Sequence, residues 1–590
     1  MKIDYTRDAL FSDFAKMMLK DRYLLPNEIS PQEGLMRAAK AFSDNAEHAQ
    51  RLYDYASKHW FMFATPLLSN GGTSRGLPIS CFLNTVEDSR EGIMETFTEN
   101  AFLASNGGGI GTSWSSVRSN GTGTSRGSAS TGIIPFIKMQ DSQTLAFSQG
   151  VTRRGNAASY LNVTHPEIEE FLDIRKPTRD ENRRCLNIHH GVVIPDSFMK
   201  IIEGLRDKKI VDDSWDLRDP HTGEITKTVS ARVLWIKILQ NRMETGEPYI
   251  LFEDTVNDAL PEFQKRLGLK VTQSNLCTEI TLATDANRTA VCCLSSVNAE
   301  KYHEWENHPT FIEDLFRMLD NVLTVFIKTA PAEMYKAIYS AQRERAVGLG
   351  LMGFHALLQR KSIPFESETA RSINKEIFTK LNREADKASK LLAVERGECP
   401  DAKGFGERFS HKLAPAPNAS SSFLCGDTSP GIEPIPANIV TRKTLSGSNE
   451  LRNSRLKEVL SSLGMDTDKV WNSIFANEGS IAHLDGVSDH IKNVYKTAWE
   501  IDNDWIITHA ADRAGLVCQA QSINLFLTPR VNKQKLFDLH MTAWEKKVKS
   551  LYYVRSISAK TTETIQRDKA RVNVFSTPTA VEDECLACEA

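Results

Sequence analysis

A strand, a helix and a second strand follow one another near the C-terminal end of the chain, and this order constrains the fold more than any other feature. Residues 523–527 form an apolar, strand-like run. Asn532 then stands where it can cap a helix whose apolar positions include Leu536 and Trp544. Strand character resumes at residues 550–554. A βαβ unit of this kind places its two strands parallel in one sheet.

The same alternation occurs elsewhere in the chain. Amphipathic patterns at residues 311–328 and 372–392 predict long helices, and residues 192–194 predict a short strand. Residues 160–163 are typical of another strand, followed by a capping-box helix start at residues 164–167. The sequence therefore predicts a large α/β body that contains parallel strands.

Composition limits the classes of protein that fit such a body. The 590 residues carry a formal net charge of −3, so no strongly basic surface points to nucleic acid as a partner. No apolar run approaches the ~18 residues that a membrane helix needs, and the N-terminus lacks the apolar stretch of a signal peptide. We therefore expect a cytoplasmic protein, in the host cytoplasm if it is viral. In a reducing cytoplasm its ten cysteines would be thiols, metal ligands or catalytic groups.

Changes in composition divide the chain into three parts. A short helical N-terminal region is expected at residues 1–70, an α/β domain at 71–570 and a flexible tail at 571–590. Residues 105–132 are rich in Gly, Ser and Thr but also carry Trp and Arg. That stretch is open to two interpretations, a flexible linker and an ordered nucleotide-binding loop.

The segment Asn275-Leu-Cys-Thr-Glu279 brings an amide, a thiol and a carboxylate close together in sequence. If it is extended, Asn275, Cys277 and Glu279 project from one face into whatever cavity that face lines. On spacing alone, a buried Cys between two solvated polar neighbours is the commoner arrangement. The segment becomes informative together with other motifs of the chain.

An ordered set of motifs is typical of one enzyme family. The motifs are Ala64-Thr-Pro66, Ser148-Gln-Gly150, Arg154-Gly-Asn-Ala-Ala158, Gln273-Ser-Asn-Leu-Cys277, Pro417-Asn-Ala-Ser-Ser-Ser422, Gly431-Ile-Glu-Pro434 and Leu551-Tyr-Tyr553. With Cys81, Cys292 and a Cys-x-x-Cys at residues 585–588, they cover nearly the whole chain. The sequence thus resembles the large, catalytic subunit of class I ribonucleotide reductase.

The resemblance implies a ten-stranded α/β barrel, built from two five-stranded parallel half-barrels and preceded by the short helical region. It also implies radical chemistry on a ribonucleotide. Cys277 would become the thiyl radical that takes the hydrogen from ribose C3′, Glu279 would accept the 3′-hydroxyl proton, and Asn275 would bind the ribose hydroxyls. Cys81 and Cys292 would be the dithiol that reduces the 2′ position and ends as a disulfide, which requires Cα atoms within about 6 Å of each other.

Two tyrosines and two tail cysteines receive roles by the same resemblance. Tyr553 and then Tyr552 would carry the radical from a separate, metal-bearing small subunit, since no metal or cofactor is expected in this chain. From the residues alone they are aromatic neighbours in a strand, which face opposite ways. Cys585 and Cys588 would reduce the internal disulfide by exchange, with thioredoxin or glutaredoxin as partner. A zinc half-site is the alternative for this pair, but no second pair of ligands lies nearby in the sequence.

The resemblance also implies two nucleotide sites. The substrate, a ribonucleoside diphosphate, would contact Asn275, Glu279, Thr65, Ser80, Gly109, Ser420, Ser421 and Ser422. Without the resemblance, a serine-rich loop is usually only solvated. The effector, a dNTP or ATP, would contact Asp88, Ser89, Arg118, Arg126 and Arg154. Asp88 and Ser89 are equally compatible with a plain helix N-cap.

The remaining expectations concern neighbours and alternatives. Cys293 is expected to pack on the face opposite Cys292, and the His189-His190 doublet to consist of solvated or core residues, because adjacent residues of a strand point apart. We expect a homodimer that binds neither membrane nor nucleic acid, and the family's N-terminal ATP-cone has no counterpart in the sequence. Three alternatives stay open: a cobalamin-dependent class II reductase, which lacks the tyrosine pair, a catalytically silent nucleotide-binding homologue, and a thiol-disulfide oxidoreductase that uses the tail cysteines.

Overall fold

The computed structural model describes residues 1–125, 127–147, 156–177, 180–444, 447–528 and 531–556, and for residues 443, 444, 447 and 448 it describes the backbone alone. Four residues for which the sequence predicts roles lie outside these ranges, namely Arg126, Arg154, Cys585 and Cys588.

The strands of the described residues are, in chain order, β1 (Phe61–Phe63), β2 (Cys81–Thr85), β3 (Gly109–Ser113), β4 (Asn156–Asn162), β5 (His189–Ile194), β6 (Ser214–Arg218), β7 (Ile225–Ser230), β8 (Tyr249–Phe252), β9 (Ala290–Asn298), β10 (Val347–Met352), β11 (Ile439–Thr444), β12 (Gly447–Arg452), β13 (Leu525–Leu527), β14 (Ser550–Leu551) and β15 (Val554–Ser556).

The α-helices of the described residues are α1 (Asp13–Met18), α2 (Pro31–Ala41), α3 (Ala46–Ser57), α4 (Thr65–Asn70), α5 (Arg90–Ser105), α6 (Ile134–Ala146), α7 (Ile168–Phe171), α8 (Asp196–Arg206), α9 (Ala231–Thr245), α10 (Glu253–Asp258), α11 (Glu262–Arg266), α12 (Tyr302–Trp305), α13 (Phe311–Thr329), α14 (Tyr335–Glu344), α15 (Phe354–Arg360), α16 (Glu368–Arg396), α17 (Ser421–Leu424), α18 (Ser454–Ser462), α19 (Asp468–Ala476), α20 (Asp489–Val494), α21 (Asn503–Ala514) and α22 (Lys533–Glu545). Short 3₁₀ helices lie at Tyr5–Leu10, Glu181–Arg183, Ala299–Lys301, Ala332–Met334 and Pro400–Ala402, and a π-helical turn at Leu19–Tyr23.

Five parallel strands form the first half of an α/β barrel. β2, β3, β4, β5 and β8 lie side by side in that order, each parallel to the next. The predicted α/β barrel is therefore confirmed. β9 runs antiparallel to β2 and joins this set to β10, which is parallel to β9. The second half is less regular in the described ranges, because its other parallel pair, β13 with β15, is hydrogen-bonded separately.

Strand β9 shows how the barrel divides the apolar core. All of its residues are buried, as expected for a strand that is covered on both faces. Cys292 and Leu294 belong to an interior cluster with Cys81, whereas Val291 and Cys293 belong to the main core outside it. Alternate residues therefore face the barrel interior and the surrounding helices. The prediction that Cys293 packs on the opposite face from Cys292 is confirmed.

The C-terminal βαβ unit is present, with one change of partner. β13 and β15 are parallel neighbours, and the intervening helix α22 is capped by Asn532, whose side chain accepts from the N–H of Gln534. The sequence predicts a single strand at residues 550–554, but β14 pairs antiparallel with β8 of the first half-barrel. The chain thus crosses between two sheets after β14, and Tyr552 and Tyr553 lie at the crossing.

Helix prediction succeeded for the long amphipathic patterns and failed at one short helix. The patterns at 311–328 and 372–392 are α13 and α16. The capping-box start at 164–167 is wrong, because the side chain of Asn162 accepts from both the N–H and the hydroxyl of Thr164. An Asn side chain that binds the backbone locally competes with helix formation, and α7 begins only at Ile168.

The N-terminal helices are fixed to the barrel through a buried carboxylate. Pro31 lies in the first turn of α2, where Ser30 and Glu33 form a reciprocal capping box. α3 packs against α13, and Arg51 donates two hydrogen bonds of 2.8 Å to Asp314, which is 1% exposed.

Among the described helices, none combines the length and the apolar character that a membrane span requires.

Candidate active site

The thiol segment lies in a loop, residues 271–284, that precedes β9. The segment is not extended: the backbone turns at Leu276 and Cys277, and Thr278 adopts a left-handed φ of +66°. Because of this turn Asn275 and Glu279 face each other, and Asn275 Nδ2 donates to Glu279 Oε1 at 2.8 Å. The amide and the carboxylate therefore meet across a turn that has Cys277 at its tip.

Side chains from the barrel hold the backbone of this loop. Three hydroxyl groups each donate to a carbonyl oxygen of the turn, and the pairs are Tyr160 Oη to Asn275 O (2.7 Å), Ser522 Oγ to Cys277 O (2.6 Å) and Ser550 Oγ to Thr278 O (2.9 Å). A buried carbonyl without a donor would be costly. The donors come from β4, from the segment before β13 and from β14, so both halves of the barrel position the turn.

Burial changes the acid-base properties of Glu279. The residue is 1% exposed, and its Oε2 accepts from Ser522 Oγ at 3.1 Å. Burial is the largest influence and raises the pKa of Glu279 to about 7, because the neutral donors only partly replace water around the charged form. Near neutral pH the carboxyl therefore exists in both protonation states, which suits general acid-base catalysis.

Cys81 and Cys292 lie directly opposite each other in the antiparallel pair of β2 and β9. Opposite residues in such a pair have Cα atoms about 4.5–5.5 Å apart, which is within the range that a disulfide spans. Both are buried thiols, and burial raises the pKa of Cys292 well above its ordinary value. Asn275 Nδ2 lies 4.0 Å from Cys81 Sγ and Gln519 Nε2 lies 3.5 Å from Cys292 Sγ. The Cys292 thiol is therefore protonated, and the cysteine pair adjoins the loop.

Tyr552 and Tyr553 pack against each other, so the prediction that they face opposite ways is wrong. Their ring centroids are 4.2 Å apart, and Tyr249 of β8 contacts both rings, at 4.9 and 5.1 Å. Tyr552 is 3% exposed and shares an apolar cluster with Cys277, whereas Tyr553 lies at the edge of that cluster and is partly exposed. A partly exposed ring, a buried ring and a buried thiol thus lie in one cluster between surface and loop.

Both histidines of the His189-His190 doublet contact one carboxylate, that of Glu247, which strand alternation did not predict. His189 Nδ1 lies 2.5 Å from Glu247 Oε1, and His190 Nδ1 lies 3.0 Å from Glu247 Oε2. His189 also contacts Tyr553 Oη at 3.2 Å. No sequence signal joins Glu247 to the doublet, because the three residues meet only when β5 and β8 pair.

Within the described ranges, no group of three or more His, Cys, Asp or Glu side chains is arranged to hold a metal ion.

The residues expected to bind substrate come from separate segments near β1, β2 and β3. Thr65 begins α4, directly after β1. The carbonyl of Ser80, just before β2, accepts from the N–H of Gly109 at the start of β3, at 2.6 Å. The buried serines Ser420, Ser421 and Ser422 lie at the start of the short helix α17, which packs against β1.

Two residues expected at the effector site pair with each other. Arg118 Nε lies 3.0 Å from both carboxylate oxygens of Asp88, and His221 Nδ1 lies 3.0 Å from Oδ2. Ser89 accepts from the N–H of Gly92 and caps α5, as the N-cap interpretation predicts. The linker interpretation of residues 105–132 is wrong for β3, which is an inner strand of the sheet.

Comparisons with known proteins agree with this architecture. The family model described as Ribonucleotide reductase, barrel domain, matches residues 79–405 and 401–554, and the model described as Ribonucleotide reductase, all-alpha domain, matches residues 9–76. The Ribonucleoside-diphosphate reductase large subunit of Invertebrate iridescent virus 3 is 40% identical, with 100% of this chain and 99% of that protein covered.

More distant relatives show the same likeness. The Ribonucleoside-diphosphate reductase large subunit of Caenorhabditis elegans is 32% identical over 99% of this chain and 82% of that protein. The solved Actinobacillus ureae class Id ribonucleotide reductase alpha subunit superposes with a TM-score of 0.82 at 32% identity, covering 95% of this chain and 100% of that chain. The barrel, the thiol loop and these matches all point to one family. The chain belongs to the ribonucleotide reductase family, among the large subunits of class I.

Proposed function

We propose that the chain is the catalytic subunit of a ribonucleoside-diphosphate reductase, which forms deoxyribonucleotides for DNA synthesis. One observation carries the proposal: the amide of Asn275 lies 2.8 Å from Glu279 Oε1 and 4.0 Å from Cys81 Sγ. The turn that carries Cys277 therefore adjoins both a carboxyl and a dithiol. The relatives in Invertebrate iridescent virus 3 and Caenorhabditis elegans are named ribonucleoside-diphosphate reductases, which supports diphosphates as substrates.

The proposed reaction uses these groups in sequence. Cys277, once oxidised to a thiyl radical, takes the hydrogen atom from ribose C3′, and Glu279 accepts the 3′-hydroxyl proton while Asn275 binds the hydroxyls. The 2′-hydroxyl leaves as water. Cys81 and Cys292 supply two electrons and two protons and become a disulfide. Cys277 then returns a hydrogen atom to C3′ and regains the radical, and Glu279 returns its proton to the 3′ oxygen, so each turnover consumes one dithiol.

The radical is proposed to come from a separate, metal-bearing small subunit through Tyr553 and then Tyr552. The partial exposure of Tyr553 supports transfer from a partner at the surface, and the 4.2 Å between the two ring centroids supports transfer inward. The same packing is the observation that favours class I over a cobalamin-dependent reductase.

The other proposed partners act on the dithiol and on the nucleotide sites. Cys585 and Cys588 are proposed to reduce the buried disulfide, because a reductant as large as thioredoxin or glutaredoxin does not fit beside two buried sulfurs. The proposed effectors are a dNTP or ATP, and the subunit is proposed to act as a homodimer. The residues proposed for the effector are Asp88, Ser89, Arg118, Arg126 and Arg154, and those proposed for substrate are Thr65, Ser80, Gly109, Ser420, Ser421 and Ser422.

Two adjacent cysteines provide a matched test. Cys292→Ala and Cys293→Ala remove neighbouring buried thiols of β9, but only Cys292 lies opposite Cys81 and faces the interior cluster. With a radical-generating small subunit and a dithiol reductant, we expect Cys292→Ala and Cys277→Ala to form no deoxynucleotide above background in a steady-state assay. Cys293→Ala should keep turnover close to that of the wild type.

The same assay separates the alternatives. Turnover by Cys277→Ala, or equal losses at Cys292 and Cys293, would contradict the assigned roles. Wild-type activity with adenosylcobalamin in place of the small subunit would favour a class II reductase. Nucleotide binding without turnover under every condition would favour a catalytically silent homologue.

A further inference from the structure

Tyr553 has an ionisable neighbour that the proposed reaction does not use. Its phenol oxygen lies 3.2 Å from Nδ1 of His189, and the same nitrogen lies 2.5 Å from Glu247 Oε1. We propose that His189 and Glu247 together accept the phenol proton of Tyr553 when this tyrosine is oxidised, an inference that rests on the proposed radical route.

The carboxylate of Glu247 is held in a fixed position. Its Oε2 accepts from the backbone N–H of His190 at 3.0 Å and lies 3.0 Å from the Nδ1 of the same residue. Arg175 Nε lies 3.7 Å from that oxygen, and the carboxylate is 1% exposed. Because Oε2 has these partners, Oε1 is the oxygen that faces His189, and Nδ1 of the imidazole lies close to both the carboxylate and the phenol.

Charges around the pair favour uptake of a proton. Burial raises the pKa of Glu247, but Arg175 and His189 outweigh burial and hold that pKa well below its ordinary value. An anionic carboxylate next to an imidazole stabilises the protonated imidazole. Tyr249 lies along the His189 ring, with centroids 6.1 Å apart and planes at 20°. This neighbour packs against the imidazole ring.

A cation next to Tyr553 favours loss of the proton. The Arg555 guanidinium lies 4.3 Å from the centroid of the Tyr553 ring. Removal of an electron alone would leave a positively charged ring next to this cation, and two like charges at such a distance repel. Removal of an electron and a proton together leaves a neutral tyrosyl radical.

The step balances in atoms and charge. One electron passes from Tyr553 to the one-electron oxidant of the partner subunit, and the O–H bond of the phenol breaks. His189, in the tautomer that leaves Nδ1 without a proton, binds the phenol proton at Nδ1, and the ionised Glu247 Oε1 beside this nitrogen stabilises the imidazolium. The pair gains one proton and no electron. When Tyr552 reduces the Tyr553 radical, the proton returns from Nδ1 to the phenol oxygen.

Replacement of the imidazole and its restoration from solution test the inference. The His189 side chain is 16% exposed, so a small base can reach the space left by His189→Ala. We expect His189→Ala to lower turnover with the small subunit by about 10²-fold, the scale of general acid-base catalysis, and added imidazole to restore a large part of it. His303→Ala, which removes an exposed histidine on α12, should leave turnover unchanged, as should imidazole added to the wild type.

Three outcomes separate this inference from the proposed function. Wild-type turnover in His189→Ala, together with an inactive Tyr553→Phe, would overturn the inference and leave the radical route standing. A loss in His189→Ala that imidazole does not relieve would mean that the ring only packs against Tyr553, and would also overturn it. Wild-type turnover in Tyr553→Phe would remove the radical route and the inference with it.

Discussion

A carboxyl that must be ionised to react makes the reaction rate depend on pH near its pKa. Glu279 is proposed to be such a group. Its pKa is raised from 4.5 to about 7, chiefly by burial. Because the proposed role requires the ionised form, kcat/KM should rise with pH through about 7 instead of through 4.5. The measurement is a pH profile of kcat/KM, and Glu279→Gln should lower the plateau by about 10²–10⁴-fold.

A second variant shows whether this rise belongs to Glu279. The hydroxyl of Ser522 donates to Glu279 Oε2 and lowers its pKa. Ser522→Ala removes the donor, which raises the pKa further and should move the rising limb to higher pH. A limb that stays in place in Ser522→Ala, or a Glu279→Gln enzyme that turns over normally, would show that another group accepts the proton.

At the residue scale, the sequence predicted which groups meet but not how they meet. Asn275 and Glu279 were expected to share one face of an extended segment, but they contact each other across a turn whose left-handed residue is Thr278. A β-branched residue gives no sequence signal for a positive φ, since Gly or Asn is the usual choice. Tyr552 and Tyr553 were misjudged for a related reason, because alternation of side chains applies only inside a continuous strand.

Strand β3 limits where the thiol loop can lie. A Cβ added at Gly111 would stand 2.0 Å from Ser274 O and 3.1 Å from Asn275 Cα, so the loop would have to move. Gly111→Ala should therefore lower kcat/KM much more than it lowers the melting temperature. Gly515→Ala is the matched control, since its added Cβ meets nothing within 4 Å and its φ is −78°. Equal and normal activity of the two variants would mean that the position of the loop does not matter.

At the element scale, long periodic segments were predicted well and pairings were not. α13 and α16 follow directly from apolar periodicity. The split of residues 550–554 into β14 and β15 depends on β8 and β13, which lie far away in sequence. The register that sets Cys81 against Cys292 is likewise a property of the folded sheet, and the sequence supplied it only through the family resemblance.

Buried titratable groups in several parts of the molecule make its stability depend on pH. Burial raises the pKa of three carboxyls to about 7, namely Glu279, Glu344 and Glu433. Burial lowers the pKa of five histidines to about 3 or 4, namely His59, His355, His411, His509 and His540. The histidines contribute stability above pH 6.5 that is lost as the pH falls toward 3, whereas the carboxyls contribute stability below pH 4.5 that is lost as the pH rises through 7.

Glu344 tests the second of these effects away from the candidate active site. It accepts from Ser340 Oγ at 2.8 Å and Gln264 Nε2 at 2.9 Å, and burial raises its pKa to about 7. The native state therefore binds more protons than the unfolded state between pH 4.5 and 7, and stability falls with rising pH by about 1.4 kcal/mol per unit of pKa difference. Glu344→Gln has no charge to bury.

Melting temperatures at pH 5 and pH 8 measure this difference, and about 2–4 °C per kcal/mol is typical of large domains. The wild type should lose more melting temperature between these pH values than Glu344→Gln does. The exposed Glu333→Gln on a neighbouring helix should follow the wild type. Parallel changes in all three proteins would show that the pKa of Glu344 is the same in the folded and the unfolded state.

The strand pair that carries Cys81 and Cys292 is also where the five parallel strands meet the rest of the barrel. A covalent bond at that place closes a long loop of chain, and such a cross-link stabilises mainly by restricting the unfolded state, more so for longer loops. Formation of the disulfide in each turnover would then also raise the stability of the fold. In the proposed reaction the reduced enzyme lacks this cross-link, whereas the oxidised enzyme would carry it and would resist unfolding more strongly until it is reduced again.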